Sequence, residues 1–127
     1  MMAKTNQHPN ERLPLNHADL HILVSLTGGD RHGYAIMLDV RALSGERVRL
    51  GPGTLYTAIK RLLEAGLIEE SDRRPDPELD DQRRRYYRLT RYGRRVAAAE
   101  AERLQGIVRV MQERRLISPP RAVRGSI

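Results

Sequence analysis

The chain has 127 residues, of which 39% are apolar and 31% charged, as expected of a soluble globular protein with one modest core. Cysteine is absent, which excludes disulfides, cysteine-ligated zinc and a thiol nucleophile. The 23 basic side chains outnumber the 16 acidic ones, and the net charge of +7 favours a polyanionic partner. Nearly all basic residues are arginine, the better bidentate donor to phosphate and guanine, although a GC-rich genome would produce the same bias.

The sequence carries no signal for membrane insertion or catalysis. No apolar run approaches the ~20 residues that cross a bilayer, and residues 1–12 lack the apolar stretch of a signal peptide. We therefore expect a cytoplasmic protein without a membrane segment. There is no GxSxG, P-loop or HExxH motif, and His17 and His21 lack a third nearby ligand. We expect neither an enzyme nor a bound metal or cofactor.

The first part of the chain predicts two helices after a polar, flexible segment over residues 1–14. Asn16 can cap a first helix over residues 18–27, whose almost continuous aliphatic sequence predicts burial on more than one side. A second helix is predicted over residues 33–43 and ends at a Ser-Gly pair. Tyr34, at its start, is expected to pack against the third helix.

Residues 52–65 predict the third helix. Pro52 suits its first turn, and Gly51 is an acceptable but weak cap. Gly66 is well placed as the left-handed residue that ends it. The apolar positions of this helix fall on one face, at Leu55, Ile59, Leu62 and Leu63.

Two strands, over residues 67–73 and 83–89, are predicted to form a hairpin around an acidic, proline-containing loop. Thr90 can then cap a long last helix over residues 91–115. Its apolar positions alternate in steps of four and three, a heptad seam that predicts pairing with another helix. The seam consists of Ala97, Ala101, Leu104, Val108 and Met111.

These elements predict an α+β fold that is mainly helical with a small β-hairpin. We expect a winged helix-turn-helix over residues 15–90 and a dimerisation helix over residues 91–116. Residues 117–127, which contain a Pro-Pro pair, are expected to form a disordered tail.

The third helix is the first candidate for insertion into the major groove of DNA. Small or polar residues near its start, Thr54 and Thr57, allow close approach to base edges. Lys60 and Arg61 can reach a phosphate or a guanine, and Tyr56 can pack or donate a hydrogen bond to a phosphate. The alternative is the solvated face of an ordinary amphipathic helix.

The hairpin is the second candidate, because residues 83–95 contain seven arginines and no acid. Such a density repels itself unless it is solvated or neutralised by phosphate. Pairing with the acids of residues 76–81 is the alternative for some of these side chains. The predicted contacts to the DNA backbone or minor groove are those nearest the loop, Arg73, Arg74, Arg83 and Arg84.

On these residues the chain resembles the PadR family of bacterial transcriptional regulators. The resemblance covers residues 20–115, and its motifs occur in the order and spacing of the family. The matching segments are the aliphatic stretch 20–26, HGYAI at 32–36, GPGTLY at 51–56, RLLEAGLI at 61–68 and RRYYRLTRYG at 84–93.

The resemblance implies a homodimeric winged-helix repressor of the smaller subfamily. In that family the first and last helices build the dimer, while the third helix and the wing meet a palindromic operator. Some small members bind flat aromatic drugs at the dimer centre through a Trp of the last helix. This chain has no Trp, and Leu104 falls near that position, so the resemblance does not extend to such a ligand. Any small-molecule effector is left unidentified.

The sequence therefore predicts a sequence-specific regulator that binds double-stranded DNA as a homodimer, is a repressor, and associates with the nucleoid. The alternative is a basic helical interaction module that binds RNA or an acidic protein. Competition would separate the two, because a specific duplex should be displaced by the same DNA but poorly by RNA.

Overall fold

The computed structural model describes residues 7–72 and 85–118 of the chain. Its architecture confirms the predicted α+β class, with helices surrounding one small sheet. The elements in chain order are a 3-10 helix (Pro9–Arg12), α1 (His17–Leu26), β1 (Arg31–His32), α2 (Gly33–Leu43), α3 (Pro52–Glu64), β2 (Ile68–Glu70), β3 (Tyr86–Leu89) and α4 (Arg91–Glu113). None of the helices in these two ranges is long and apolar enough to cross a membrane.

The ends of the helices follow the local signals of the sequence. The side chain of Asn16 accepts a hydrogen bond from the backbone N–H of Asp19 (2.8 Å) and so caps α1. Thr90 caps α4 in the same way, and Gly66 follows α3 with a left-handed φ of 77°. The cap of α2 was not predicted: it is His32, whose Nδ1 accepts from a backbone N–H of the first turn (3.0 Å).

The sheet has three antiparallel strands in the order β1-β3-β2, one more than predicted. Arg31 of β1 pairs with Tyr87, and Ile68 of β2 pairs with Leu89. The sequence did not reveal β1 because two residues are too few to show the alternation that identifies a strand. The central strand therefore joins the start of α2 to the hairpin.

The hydrophobic core is built around α1, which contacts α2, α3, α4 and β3. The apolar part of the described interior is aliphatic apart from two tyrosines, since the chain has no Phe or Trp. Burial of α1 on several sides is confirmed, because Ile22, Leu23 and Leu26 are all almost completely inaccessible. The other buried apolar residues are Ile36, Val40, Leu50, Leu55, Ala58, Ile59, Leu62, Ala65, Leu67, Ile68, Tyr87, Tyr92 and Val96.

Residues 7–15 form a segment, here called the N-terminal strap, that lies against α4. The strap overlaps the segment for which the sequence predicts flexibility, and it contains the 3-10 helix and contacts α4. The guanidinium Nε of Arg12 donates to the hydroxyl of Tyr92 (3.1 Å), and that hydroxyl donates to the carbonyl of Gln7 (2.6 Å). Long-range contacts of this kind leave no periodic pattern in a sequence.

A buried carboxylate holds the end of the strap. Glu100 is only 1% exposed, and its Oε2 accepts a hydrogen bond from the backbone N–H of Leu15 (3.0 Å). Arg103 neutralises it through two hydrogen bonds of 2.6 and 3.0 Å. The hydrogen bond from Arg103 lowers the pKa of Glu100, although burial acts in the opposite direction. The carboxylate therefore remains ionised and joins the strap to α4.

Candidate nucleic-acid interface

The third helix presents a polar face to solvent, as the sequence predicted. Its apolar stripe is confirmed at Leu55, Ile59 and Leu62, which are buried, whereas Leu63 is half-buried. α3 begins at Gly51 without a side-chain cap. The exposed residues of the helix are Pro52, Gly53, Thr54, Thr57, Lys60, Arg61 and Glu64.

The exposed residues do not all point in the same direction. At 100° per residue, Gly53, Thr57, Lys60 and Glu64 lie opposite the buried stripe and form the centre of the polar face. Arg61 lies towards the edge that borders α1. Among the described residues, Lys60 has no ion pair or hydrogen bond from its side chain, so its charge is available to a partner.

Tyr56 lies on the opposite edge and packs against the start of α2. A β-carbon on Gly33 would overlap the hydroxyl and ring of Tyr56, so the glycine creates the space that the tyrosine occupies. Tyr34, which we expected to fill this role, keeps 43% of its surface exposed. Of the two roles considered for Tyr56, the structure shows the packing one.

Arg61 forms an ion pair with Asp19 of α1. The guanidinium Nη2 lies 2.5 Å from Oδ1 of Asp19, and Nε lies 3.5 Å from Oδ2. The Asp19 side chain is 12% exposed, whereas that of Arg61 is 46% exposed. This contact, between residues 42 positions apart, was not predicted, and it gives Arg61 a partner within the protein.

The described part of the wing also contains an internal ion pair. Arg88 of β3 lies opposite Glu69 of β2, and its Nε donates to the carboxylate at 2.9 Å. This hydrogen bond raises the pKa of Arg88. The predicted DNA contacts of the wing, and most of its acidic loop, lie outside the described residues. These predicted contacts are Arg73, Arg74, Arg83 and Arg84.

The predicted seam of α4 lies beside the first helix and is partly exposed. Ala97, Ala101 and Leu104 line an open cleft of about 340 Å³. The other walls of the cleft come from α1 and the end of α2, where Leu43 is 49% exposed. The cleft is completed by Leu20, His21 and Val24.

The seam continues beyond the cleft along the second half of α4. Val108 and Met111 are half-buried, and the neighbouring apolar residues Ile107 and Val110 are exposed. A long apolar face without a covering element is typical of a helix that pairs with another chain. Ile107 and Val110 each adjoin a seam residue in the sequence, so they lie about 100° around the helix from it, beside the seam and outside its row.

Within residues 7–72 and 85–118, no three His, Cys, Asp or Glu side chains are placed to hold a metal. The rings of His17 and His21 contact each other edge to face, with 4.5 Å between their centroids.

The three-helix core, the small sheet with its wing and the exposed face of α3 define a winged helix-turn-helix protein. The chain belongs to the PadR-like family of transcriptional regulators, whose family model, described as "Transcriptional regulator PadR-like family", matches residues 22–99. The resemblance inferred from the sequence motifs is thereby confirmed.

Solved structures of similar proteins agree with this assignment. The chain is 30% identical to a PadR family transcription regulator from Clostridium difficile R20291, with a TM-score of 0.63 over 77% of this chain and 97% of that one. It is 29% identical to a transcriptional regulator from Clostridium thermocellum, with a TM-score of 0.62 over 76% and 88% of the two chains.

A curated relative extends the comparison to a mobile genetic element. The chain is 38% identical over 96 residues to an uncharacterized 37.1 kDa protein in transposon TN4556 of Streptomyces fradiae. The match covers 73% of this chain but only 25% of that protein, so the chain spans about a quarter of its relative's length.

Proposed function

We propose that the protein is a sequence-specific regulator that represses transcription by binding a palindromic DNA operator as a homodimer. The observation that carries this proposal is the exposed face of α3, which combines small polar residues with Lys60, a cation that has no partner among the described residues. Family membership supports it, and the net charge of +7 favours a polyanionic partner.

The proposed contacts divide into two kinds. Thr54 and Thr57, near the start of α3, would face base edges, and Lys60 would face a phosphate. Tyr56 packs against the start of α2 and would contact the DNA backbone only from the edge of the polar face. Arg61 would contact DNA where an acceptor on the DNA replaces Asp19. The wing arginines Arg73, Arg74, Arg83 and Arg84 remain proposed backbone or minor-groove contacts.

Two copies would pair through the seam of α4 and the cleft beside α1. The first three seam residues line the cleft, so the seam and the cleft form one continuous apolar surface for a second copy. A two-fold axis between the copies would place their third helices about 34 Å apart, in successive major grooves. Occupation of a promoter in this way would exclude RNA polymerase by steric overlap.

Binding to the DNA upstream of the protein's own gene tests the proposal. Lys60→Ala should weaken binding severalfold, since a phosphate contact is lost, whereas Arg109→Ala should leave binding unchanged. Arg109→Ala is a matched control because the substitution also removes one exposed positive charge, here from the outward face of α4. If RNA displaces the duplex as effectively as the same DNA does, the interaction-module alternative replaces the proposal.

A further inference from the structure

Asp19 and Arg61 form an asymmetric pair at the border of α1 and α3. The carboxylate is largely buried in the first turn of α1, where a negative charge is favoured by the helix dipole. The guanidinium is nearly half exposed and lies on the margin of the face that we propose meets DNA. A buried anion on one helix therefore neutralises a surface cation on another.

The pair changes what Arg61 offers to DNA. Two adjacent donors of the guanidinium, Nε and Nη2, are directed at the carboxylate, so one bidentate edge is occupied. The charge of the pair is zero, so it contributes no net counterion release on binding to a phosphate. Lys60, one position earlier on the same helix, has no such partner among the described residues.

We infer that Asp19 is a specificity-setting residue: by pairing with Arg61 it removes one positive charge from the DNA-facing surface and keeps the affinity for random sequence low. Phosphate contacts add affinity without sequence information, so masking one of them raises the ratio of specific to non-specific binding. A guanine at the correct position offers two acceptors, O6 and N7, to the guanidinium and can replace the carboxylate there, so this contact adds sequence information that a phosphate contact lacks. The inference rests on the proposed function.

Salt dependence of binding to a random duplex measures the masked charge directly. We expect Asp19→Asn, which keeps the size of the side chain, to release Arg61 and steepen the slope of log affinity against log salt by about 0.9. Across a fourfold change in salt, this is an additional loss of about 3.5-fold in affinity. At low salt the variant should bind random DNA more tightly than the wild type does.

The same substitution in an Arg61→Gln background identifies the charge that is released. With Arg61 absent, Asp19→Asn should leave the slope of that background unchanged. An unaltered slope in the single variant, or an equal effect with and without Arg61, would overturn the inference. Loss of affinity in Asp19→Asn without a change in slope would also overturn it, since Asp19 would then orient Arg61 towards DNA.

A second variant keeps the test valid if Asp19→Asn does not fold. The neutral double variant Asp19→Asn and Arg61→Gln should leave the random-DNA slope of the wild type unchanged, whereas Lys60→Gln should reduce it by about 0.9. Equal reductions by both variants would show that Arg61 is not masked. Failure of the proposed function gives a different result, because the wild type would then bind neither the operator duplex nor the random duplex at low salt.

Discussion

The backbone of Gly93 in α4 lies directly against the carbonyl oxygen of Leu67, so closely that a β-carbon on Gly93 would overlap that atom. The contact joins the first turn of α4 to the chain just before the wing. It explains why a glycine occurs in the first turn of a long helix, where it otherwise lowers stability. The position of α4, and with it the proposed dimer seam, depends on this close approach.

Gly93→Ala should therefore destabilise the fold by about 3 kcal/mol or more, because backbone rather than a flexible side chain must move. Gly106→Ala is a matched control in the same helix, where a β-carbon would meet no neighbour within 4 Å. It should stabilise the protein by about 0.5–1 kcal/mol. Thermal or urea unfolding measures both changes, and a similar effect of the two substitutions would contradict the contact.

The hydroxyl of Thr90 connects the end of α3 to the first turn of α4. It donates to the carbonyl of Gly66 at the end of α3 (2.6 Å) and accepts from the backbone N–H of Gly93 (2.9 Å). Thr90→Val keeps the shape but removes both bonds, and we expect a loss of about 1–2 kcal/mol in unfolding free energy. Thr90→Ser should retain most of the stability. If valine is tolerated as well as serine is, the hydroxyl does not hold this junction.

The buried carboxylate of Glu100 gives the protein a defined response to acid. Its pKa is lowered in the folded state, chiefly by Arg103, so its stabilising effect is complete above the ordinary glutamate pKa of about 4.3. The effect is lost as the pH falls through the lowered folded-state pKa. Unfolding free energies of the wild type and Glu100→Gln should therefore differ at neutral pH and converge only as the pH falls through the lowered folded-state pKa of Glu100. A difference that does not depend on pH would show that the charge is unimportant.

The proposed dimer depends on the apolar seam. The double variant Leu104→Glu and Val108→Glu should be monomeric in sedimentation and should lose DNA binding, since each half-site is read by one copy. Arg109→Glu is a control that places the same side chain on the outward face of the same helix and should leave the dimer intact. An intact dimer in the double variant would refute the seam.

Elements with local signals were predictable from the sequence. The bounds of α2 agree with the prediction at both ends. The predicted side-chain caps are found at Asn16 and Thr90, and the predicted left-handed glycine after α3 is found at Gly66. Each depends on residues within four positions of one another, so a short window contains the whole interaction.

The relationships that determine the site were not predictable in this way. Asp19 and Arg61 are 42 positions apart, and Leu15 and Glu100 are 85 apart, so only the folded chain brings them together. The sequence predicts that Arg61 contacts DNA because it shows the positive charge of Arg61, whereas the pairing with Asp19 forms only in the folded chain. The sequence predicts flexibility for residues 1–14 because they are polar, and a polar segment carries no pattern that would indicate its contacts with α4.

We expect this protein to bind a specific DNA sequence as a homodimer, with the third helix of each copy in one half-site. Incubation of the purified protein with fragmented genomic DNA, followed by sequencing of the retained fragments, tests it most directly. We expect enrichment of a palindrome whose half-sites lie about one helical turn apart, centre to centre, and loss of that enrichment with the double variant Leu104→Glu and Val108→Glu. Retention of fragments without a shared motif, or an unpaired motif that the monomer binds equally well, would contradict it.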